Sequence, residues 1–410
     1  MKKFIKSPLG VIFITVFIDL LGYGILIPVI PLLLTDPVST YFLLPIGESV
    51  NKGYILLGFL IALFPLGQFI ATPILGQLSD RFGRKRIILL SLIGTFFSYI
   101  FFAYGIIIKN IPLLFLARFF GGITGGTLSV AQAAIADVTK PEERARGFAL
   151  VGAAFGLGFI IGPLIGAKLS DPNVLPWFDA TTPFWFAAIV ILINILLIYF
   201  IFPETKIGAE KFHKINFFQA LSHIKKSLML KDLRYMFLTN FFFQSGFSFF
   251  ATFFSVFLLS KFAFTQTGIG NFFAFIGICV VLAQIFVTRP LTKIYSDYDI
   301  LKWSLLGGAL ILPAFILPSV WQGIIILVPL YAIFNGLSQA TTIAIVSKKS
   351  SDRHQGEVLG INSSLQALGQ AIPPMFSGFI AASFSPAAPT IFAGLITGVA
   401  FIIFAILVKK

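Results

Sequence analysis

The stretch GQLSDRFGRKRIILLSLIGTFFSYIFFAYGIII, residues 76–108, joins a short basic segment to a run without any charge. From Ile87 to Ile108 there is no Asp, Glu, Lys or Arg, and about 20 such residues suffice for a helix to cross the hydrocarbon of a bilayer. A second apolar run, about 53–76, precedes the basic segment, so a turn of a few residues joins two membrane spans. The whole chain agrees with this pair. Of 410 residues, 57% are hydrophobic and 11% are charged, whereas soluble proteins carry about 25% charged residues. This excludes a soluble enzyme, a nucleic-acid binder and a secreted module. The net charge of +14, which could mean DNA or RNA in a soluble protein, is expected here from basic cytoplasmic loops. Cys279 is the single cysteine, so no internal disulfide forms, and His213, His223 and His354 lie in polar stretches. No metal site and no cofactor are expected, and the first partner is the lipid bilayer.

The gaps between charges give the remaining spans. Ala180–Pro203, Tyr235–Ser260 and Phe262–Thr288 are charge-free, and further spans cover about 9–34, 112–136 and 147–169. Two gaps are twice as long: Trp303–Ser347 folds back near Pro318–Gly323, and Val358–Val408 near Ser383–Pro389. The expectation is an all-α integral membrane protein of twelve transmembrane helices. The first span follows Lys2, Lys3 and Lys6 but is too long for a cleaved signal peptide and is expected to stay. Twelve spans put both termini on one side. Twenty-five of the 30 basic residues then fall on that side and four (Lys52, Lys109, Lys168 and Lys261) on the other, which assigns the termini to the cytoplasm and the chain to a plasma membrane, the bacterial inner membrane.

The longest polar segment lies between the sixth and seventh spans. It divides the chain into an N-terminal six-helix half (1–203), a cytoplasmic linker (204–233) with an amphipathic face of Phe217, Phe218, Leu221 and Ile224, and a C-terminal six-helix half (234–410). A weak repeat relates the halves: Gly158 and Pro163 of GLGFIIGP correspond to Gly369 and Pro374 of ALGQAIPP, a shift of 211 residues. Duplicated halves around a mid-membrane cavity are transporter architecture.

Four constellations carry chemistry. In the basic turn, Gly76 and Gly83 permit close approach and unusual dihedrals, and Asp80 among Arg81, Arg84, Lys85 and Arg86 can form a charge clamp. A loop that only sets topology would need the arginines, but not the glycines or Asp80. Arg118 lies inside the fourth span, where a charge costs at least a few kcal/mol and faces a cavity or a partner, unless it snorkels to the nearby outer surface. Gly158, Gly162 and Gly166 recur every fourth residue of the fifth span and make a face for close helix packing, and Pro163 permits a kink. Asp19 is the acid well inside a span. A lone carboxyl in hydrocarbon is costly when ionised and can alternate between charged and neutral forms. The alternative is a permanent pair with Arg118 or the backbone.

These residues resemble the major facilitator superfamily. Gly76–Arg86 is similar to its signature loop, Leu114-x-x-x-Arg118-x-x-x-Gly122 to its fourth-helix motif, and Gly158–Gly166 to the fifth-helix motif of its drug–proton antiporters, with Ala167 where that group has a further glycine. Asp19-x-x-Gly22-x-Gly24, followed by Pro28 and Pro31, resembles the first helix of tetracycline and multidrug–proton antiporters, as does Ile201-Phe-Pro-Glu-Thr205 at the end of span six. The resemblance implies the major facilitator fold, alternating access, proton coupling through Asp19 and Arg118, and a latch by Asp80 onto a helix of the other half. The C-terminal counterpart of the signature loop, Arg289–Asp297, lacks the glycines. The ninth span lacks the later acids of tetracycline carriers, which points away from tetracycline itself.

Uncharged amides are candidates to line the substrate cavity: Asn240, Gln244, Gln284, Asn335, Gln339 and Gln366. The competing reading, that they hydrogen-bond between helices, stays open. The expected function is a small-molecule:proton antiporter working in efflux, a monomer whose partners are its substrate, protons and lipid, and neither an enzyme nor a nucleic-acid binder. The alternative is a proton-coupled importer of a metabolite or siderophore. A membrane-embedded enzyme or receptor is a third possibility, but the clustered nucleophilic groups an enzyme needs are not in the sequence.

Overall fold

The computed structural model describes residues 7–45, 47–139, 144–206, 219–230, 233–349 and 355–408. Lys2, Lys3, Lys6, Lys140, His213, Phe217, Phe218, Arg353, His354, Lys409 and Lys410 lie outside the described residues. All regular structure among the described residues is helical. The first part of the chain forms α1 (Pro8–Leu34), α2 (Val50–Phe82), α3 (Arg84–Ile107), α4 (Ile111–Thr124), α5 (Thr127–Val138), α6 (Arg144–Leu169), α7 (Thr182–Ile201) and the short α8 (Gln219–Met229). There follow α9 (Arg234–Phe262), α10 (Gln266–Ala283), a π-turn at Gln284–Thr288, α11 (Arg289–Ile294), α12 (Asp297–Ala314), α13 (Trp321–Lys349), α14 (Gln355–Ser383) and α15 (Ala388–Leu407).

Ten described helical stretches are long and apolar enough to cross a membrane, with α4 and α5 forming one of them and α10 and α11 another. The expected twelve is therefore not reached by that measure. α12 and α14 occupy the ninth and eleventh expected places. The 18 residues of α12 include Asp297, Asp299 and Lys302, and α14 is interrupted by Asn362, Gln366, Gln370, Pro373 and Pro374. The two expected fold-backs are present, between Ala314 and Trp321 and between Ser383 and Ala388.

Helix starts follow local chemistry. Ser7 caps α1 by accepting from Gly10 N at 3.1 Å, with Pro8 next to it, and Asn110 caps α4 by accepting from Leu113 N at 2.9 Å. A proline or a side-chain cap supplies what the orphan amide groups of a first turn lack.

The chain forms two compact units. The first comprises Met1–Pro45, Leu66–Gln219 and Gln266–Ala274, and the second Ile46–Pro65, Ala220–Thr265 and Phe275–Lys410. Thus the beginning of α2 groups with later helices, and the beginning of α10 with earlier ones. In the first unit α1 is buried almost all round and packs chiefly on α6. The contact is close because both helices lack side chains there: a Cβ on Gly158 would stand 2.6 Å from Leu20 Cβ, and one on Gly162 2.8 Å from Gly24 Cα. In the second unit α9 takes the corresponding central place, packed on α14 and α15. Its core is phenylalanine-rich: Phe250, Phe254 and Phe315 cluster with ring centroids 4.3 to 5.3 Å apart. Large apolar side chains left outside, such as Leu90, Ile189, Phe200 and Ile406, suit a lipid environment, in which apolar surface costs nothing.

Candidate functional site

Asp19 lies near the middle of α1, and among the described residues no ion pair to it forms. Its carboxyl group instead has the hydroxyl of Thr127 as its polar neighbour. Thr127 is the first residue of α5, because the fourth span breaks at Gly125–Gly126. The break frees backbone groups that must find partners inside an apolar bundle. Gln68 of α2 donates its Nε2 to the Gly125 carbonyl at 2.9 Å. A carboxyl facing the first turn of a half-helix meets the positive end of its dipole, an arrangement found at coupling sites of transporters built with discontinuous helices.

Arg118 lies on α4 about 10 Å from its N-terminal end, at 1.5 Å rise per residue. It is 5% exposed, so it is packed in the bundle rather than snorkelling to the surface. Two tyrosines lie close enough to interact electrostatically with its guanidinium: Tyr23 of α1, one turn after Asp19, and Tyr99 of α3. Tyr99 also interacts electrostatically with Asp19. Tyr99 therefore interacts with both expected proton-coupling residues, while Tyr23 adjoins Arg118 and Thr127 adjoins Asp19; the sequence reading missed all three. Asn194 of α7 was missed as well. It is fully buried and its Oδ1 accepts from the Thr15 hydroxyl at 3.1 Å, while its Nδ2 has no partner.

The signature loop is tighter than expected, since a single residue, Gly83, separates α2 from α3. Its φ of +98° lies in the left-handed region, where a Cβ is strained. The space of that Cβ is taken by the carboxylate of Glu204, which accepts from Arg84 N at 2.7 Å, Thr205 N at 3.0 Å and Lys206 N at 3.1 Å. Glu204 thus caps α3 from a distance of 120 residues in sequence. Arg84 is the hub of the loop. It is 5% exposed, and it donates from Nε to Asp137 at 2.9 Å and from its terminal nitrogens to Ser79 Oγ at 2.6 Å and Asp80 at 2.7 Å. Asp80 also pairs with Lys206 at 3.8 Å. Arg81 lies over the ring of Phe82. A Cβ on Gly76 would meet nothing within 4 Å.

In the fifth-span motif, Gly158, Gly162 and Gly166 all face α1, and Pro163 packs on Gly24. The amides separate into different surroundings. Asn240 donates to Asn362 Oδ1 at 2.8 Å, a bond between helices. Gln244 accepts from Gln370 at 3.4 Å. Asn335 lines a small cavity with Tyr331, Ser338 and Thr397. Gln284 is exposed at the start of the π-turn, with its Oε1 3.5 Å from where a Cβ on Gly336, next to Asn335, would stand, and Gln339 and Gln366 are half-buried. Among the described residues no group of His, Cys, Asp or Glu could hold a metal ion.

Ten described stretches long and apolar enough to cross a bilayer define a multi-pass membrane protein. The chain belongs to the major facilitator superfamily, whose family model matches residues 12–294 and 236–410. It is 32% identical over 372 residues to the class C tetracycline resistance protein of Escherichia coli, covering 90% of this chain and 88% of the relative. It is 29% identical over 396 residues to multidrug resistance protein 2 of Bacillus subtilis, covering 93% and 91%. Its fold matches the crystal structure of a D-xylose–proton symporter with a TM-score of 0.77 at 16% identity, covering 98% and 97%.

Proposed function

We propose that the protein is a proton-coupled antiporter that exports small, largely apolar molecules across a bacterial inner membrane, with both termini in the cytoplasm and α12 and α14 completing twelve spans. The observation that carries this reading is Asp19: an intramembrane carboxyl whose polar neighbour is a threonine at the start of a half-helix rather than a base, and which shares Tyr99 as an electrostatic neighbour with the buried Arg118. Protonation removes a buried charge, and a change of charge inside the bundle shifts the balance between alternative packings. Asp19 loads a proton from the outer side, releases it inside, and substrate leaves on the opposite half-cycle. The glycine face between α1 and α6 keeps the helix that carries Asp19 tightly seated. Similarity to relatives named for tetracycline and multidrug resistance supports export of drug-like molecules.

The test uses inverted membrane vesicles from a host lacking its own exporters, energised to an acid interior. Tetracycline, ethidium and a panel of lipophilic cations serve as probes. Antiport predicts that at least one probe dissipates the gradient in vesicles containing the protein, and that Asp19→Asn abolishes the effect. Failure of the whole panel, combined with proton-driven uptake of a sugar or siderophore into whole cells, would replace export by import.

A further inference from the structure

Asp19 and Arg118 do not form an ion pair, yet both are tied electrostatically to Tyr99. The ring of Tyr99 is 9% exposed. It is steadied at 6.5 Å by Phe184 of α7, which in turn packs 4.6 Å from Phe102. Its hydroxyl is pressed onto α1 at Gly22, where a Cβ would collide with the oxygen. Gly22 is three residues after Asp19, so the hydroxyl meets the α1 face that carries Asp19 and Tyr23. A glycine at position 22 is thus what admits the phenol to the carboxyl's neighbourhood.

We propose that Tyr99 is a positioning residue of the proton site, holding an oriented hydroxyl between the Arg118 guanidinium and the Asp19 carboxyl so that the two communicate without a salt bridge. A direct buried pair would fix the carboxylate in its charged form, because breaking such a pair leaves an uncompensated charge. A phenol in between transmits the field of the arginine and leaves the carboxyl able to take up and give back a proton. The groups facing Asp19 are consistent with this. α3 supplies Tyr99 and α5 supplies Thr127, while Arg118 of α4 meets Tyr99 and Tyr23 of Asp19's own helix. α6 presents Gly158 and Gly162 to α1, and α7 presents Asn194 one turn before Asp19.

The inference rests on Asp19 being the proton site, and the experiment separates the two. The purified full-length protein in lipid is titrated by infrared spectroscopy, following the C=O band of a protonated carboxyl. Asp19→Asn must remove the titrating band; if the band stays, the assignment of Asp19 fails and this inference falls with it. With the band assigned, Tyr99→Phe is expected to carry the protonated form to higher pH by about one unit, a tenfold change in proton affinity, because a hydroxyl that favours the carboxylate is gone. Tyr104→Phe, on an exposed face of α3, must leave the midpoint in place. A Tyr99→Phe midpoint equal to that of the wild type overturns the proposal while leaving Asp19 as the proton site. Gly22→Ala keeps the phenol and displaces it, so it must move the midpoint in the same direction. It decides the matter where Tyr99→Phe fails to fold by circular dichroism.

Discussion

Gly270 lays its bare Cα on the carbonyl of Pro163, where a Cβ would stand 2.7 Å from the oxygen. The same contact recurs about 211 residues on. Gly58 faces the carbonyl of Pro374, and the displacements from Pro163 to Pro374 and from Gly58 to Gly270 are 211 and 212 residues. Ala167 beside Gly270 corresponds in turn to Gly378 beside Gly58. The weak repeat in the sequence is therefore a repeat of helix contacts. Each pair joins helices that chain order assigns to different halves, α6 with α10 and α2 with α14. Overpacking such a contact costs typically 1–3 kcal/mol. Gly58→Val and Gly270→Val are each expected to lower the thermal midpoint in detergent and to reduce transport at least tenfold at normal expression. Gly76→Ala, with open space at its Cβ, leaves both unchanged.

Arg84 is expected to be intolerant of change. Arg84 is buried but the carboxylates it leaves behind, Asp80 and Asp137, are partly exposed, so the loss falls below the roughly 3–5 kcal/mol of a fully buried pair, and Arg84→Ala should lower the yield of folded protein in a fluorescence-detected size-exclusion assay. Arg84→Lys should recover only part of it, since one ammonium cannot reach Ser79, Asp80 and Asp137 in a planar fork.

The Glu204 cap makes a separate prediction. Glu204→Ala removes the acceptor of three backbone N–H groups, and loss of a cap costs about 1 kcal/mol. The thermal midpoint should fall measurably. Glu204→Gln keeps an acceptor and should fall less. Gly83→Ala should cost more than either, because it combines strain at positive φ with a clash against the carboxylate.

Acid should loosen the connection between α6 and α7 and its contact with α10 in the first unit. At Asp171 burial raises the carboxyl's pKa, but hydrogen bonds from Thr267 and Asn173 outweigh it and hold the group below its ordinary value near 3.8. Thr267 donates at 2.6 Å from the start of α10. Asp179 is lowered in the same way: burial raises it, and the hydroxyls and amides of Thr181 and Thr182 overcome that effect. A carboxyl depressed in the folded state contributes stability that is fully present above its unfolded pKa and lost as the pH falls through its folded pKa. Thermal midpoints should therefore be level from about pH 7 to 5 and decline below about pH 4. Asp171→Asn should flatten part of that decline and lower the midpoint at neutral pH. A decline as steep as in the wild type would show that the bond to Thr267 does not contribute.

Much of the fold was legible in the spacing of charges, because a bilayer punishes any misplaced one. The turns at Pro318–Gly323 and Ser383–Pro389 and the burial of Arg118 follow from that penalty, and the glycine face of α6 from its four-residue spacing. Local chemistry also marked Gly83 and Asp19. What was not legible depends on distant partners. Glu204 fills the space at Gly83 across 121 residues, Tyr99 interacts electrostatically with Asp19 across 80, and Gln68 clamps the broken fourth span. None of these residues is unusual in its own stretch. The break itself was written as Gly125–Gly126, but a Gly pair in a span also suits plain packing, and only the neighbouring Gln68 gives its opened carbonyl a partner. The polar character of α14 likewise hid a helix from the hydropathy measure.

The break at Gly125–Gly126 leaves α5 as a separate rod of 12 residues. One end, Thr127, meets the carboxyl of Asp19, and the other end carries Asp137, which is held by the buried Arg84. About 15 Å separates these ends along the axis, at 1.5 Å per residue. On the proposed coupling, a proton taken up by Asp19 and the charge hub at the turn between α2 and α3 act on the two ends of the same stiff piece, and a displacement at one end would reach the other as a push rather than be absorbed by bending.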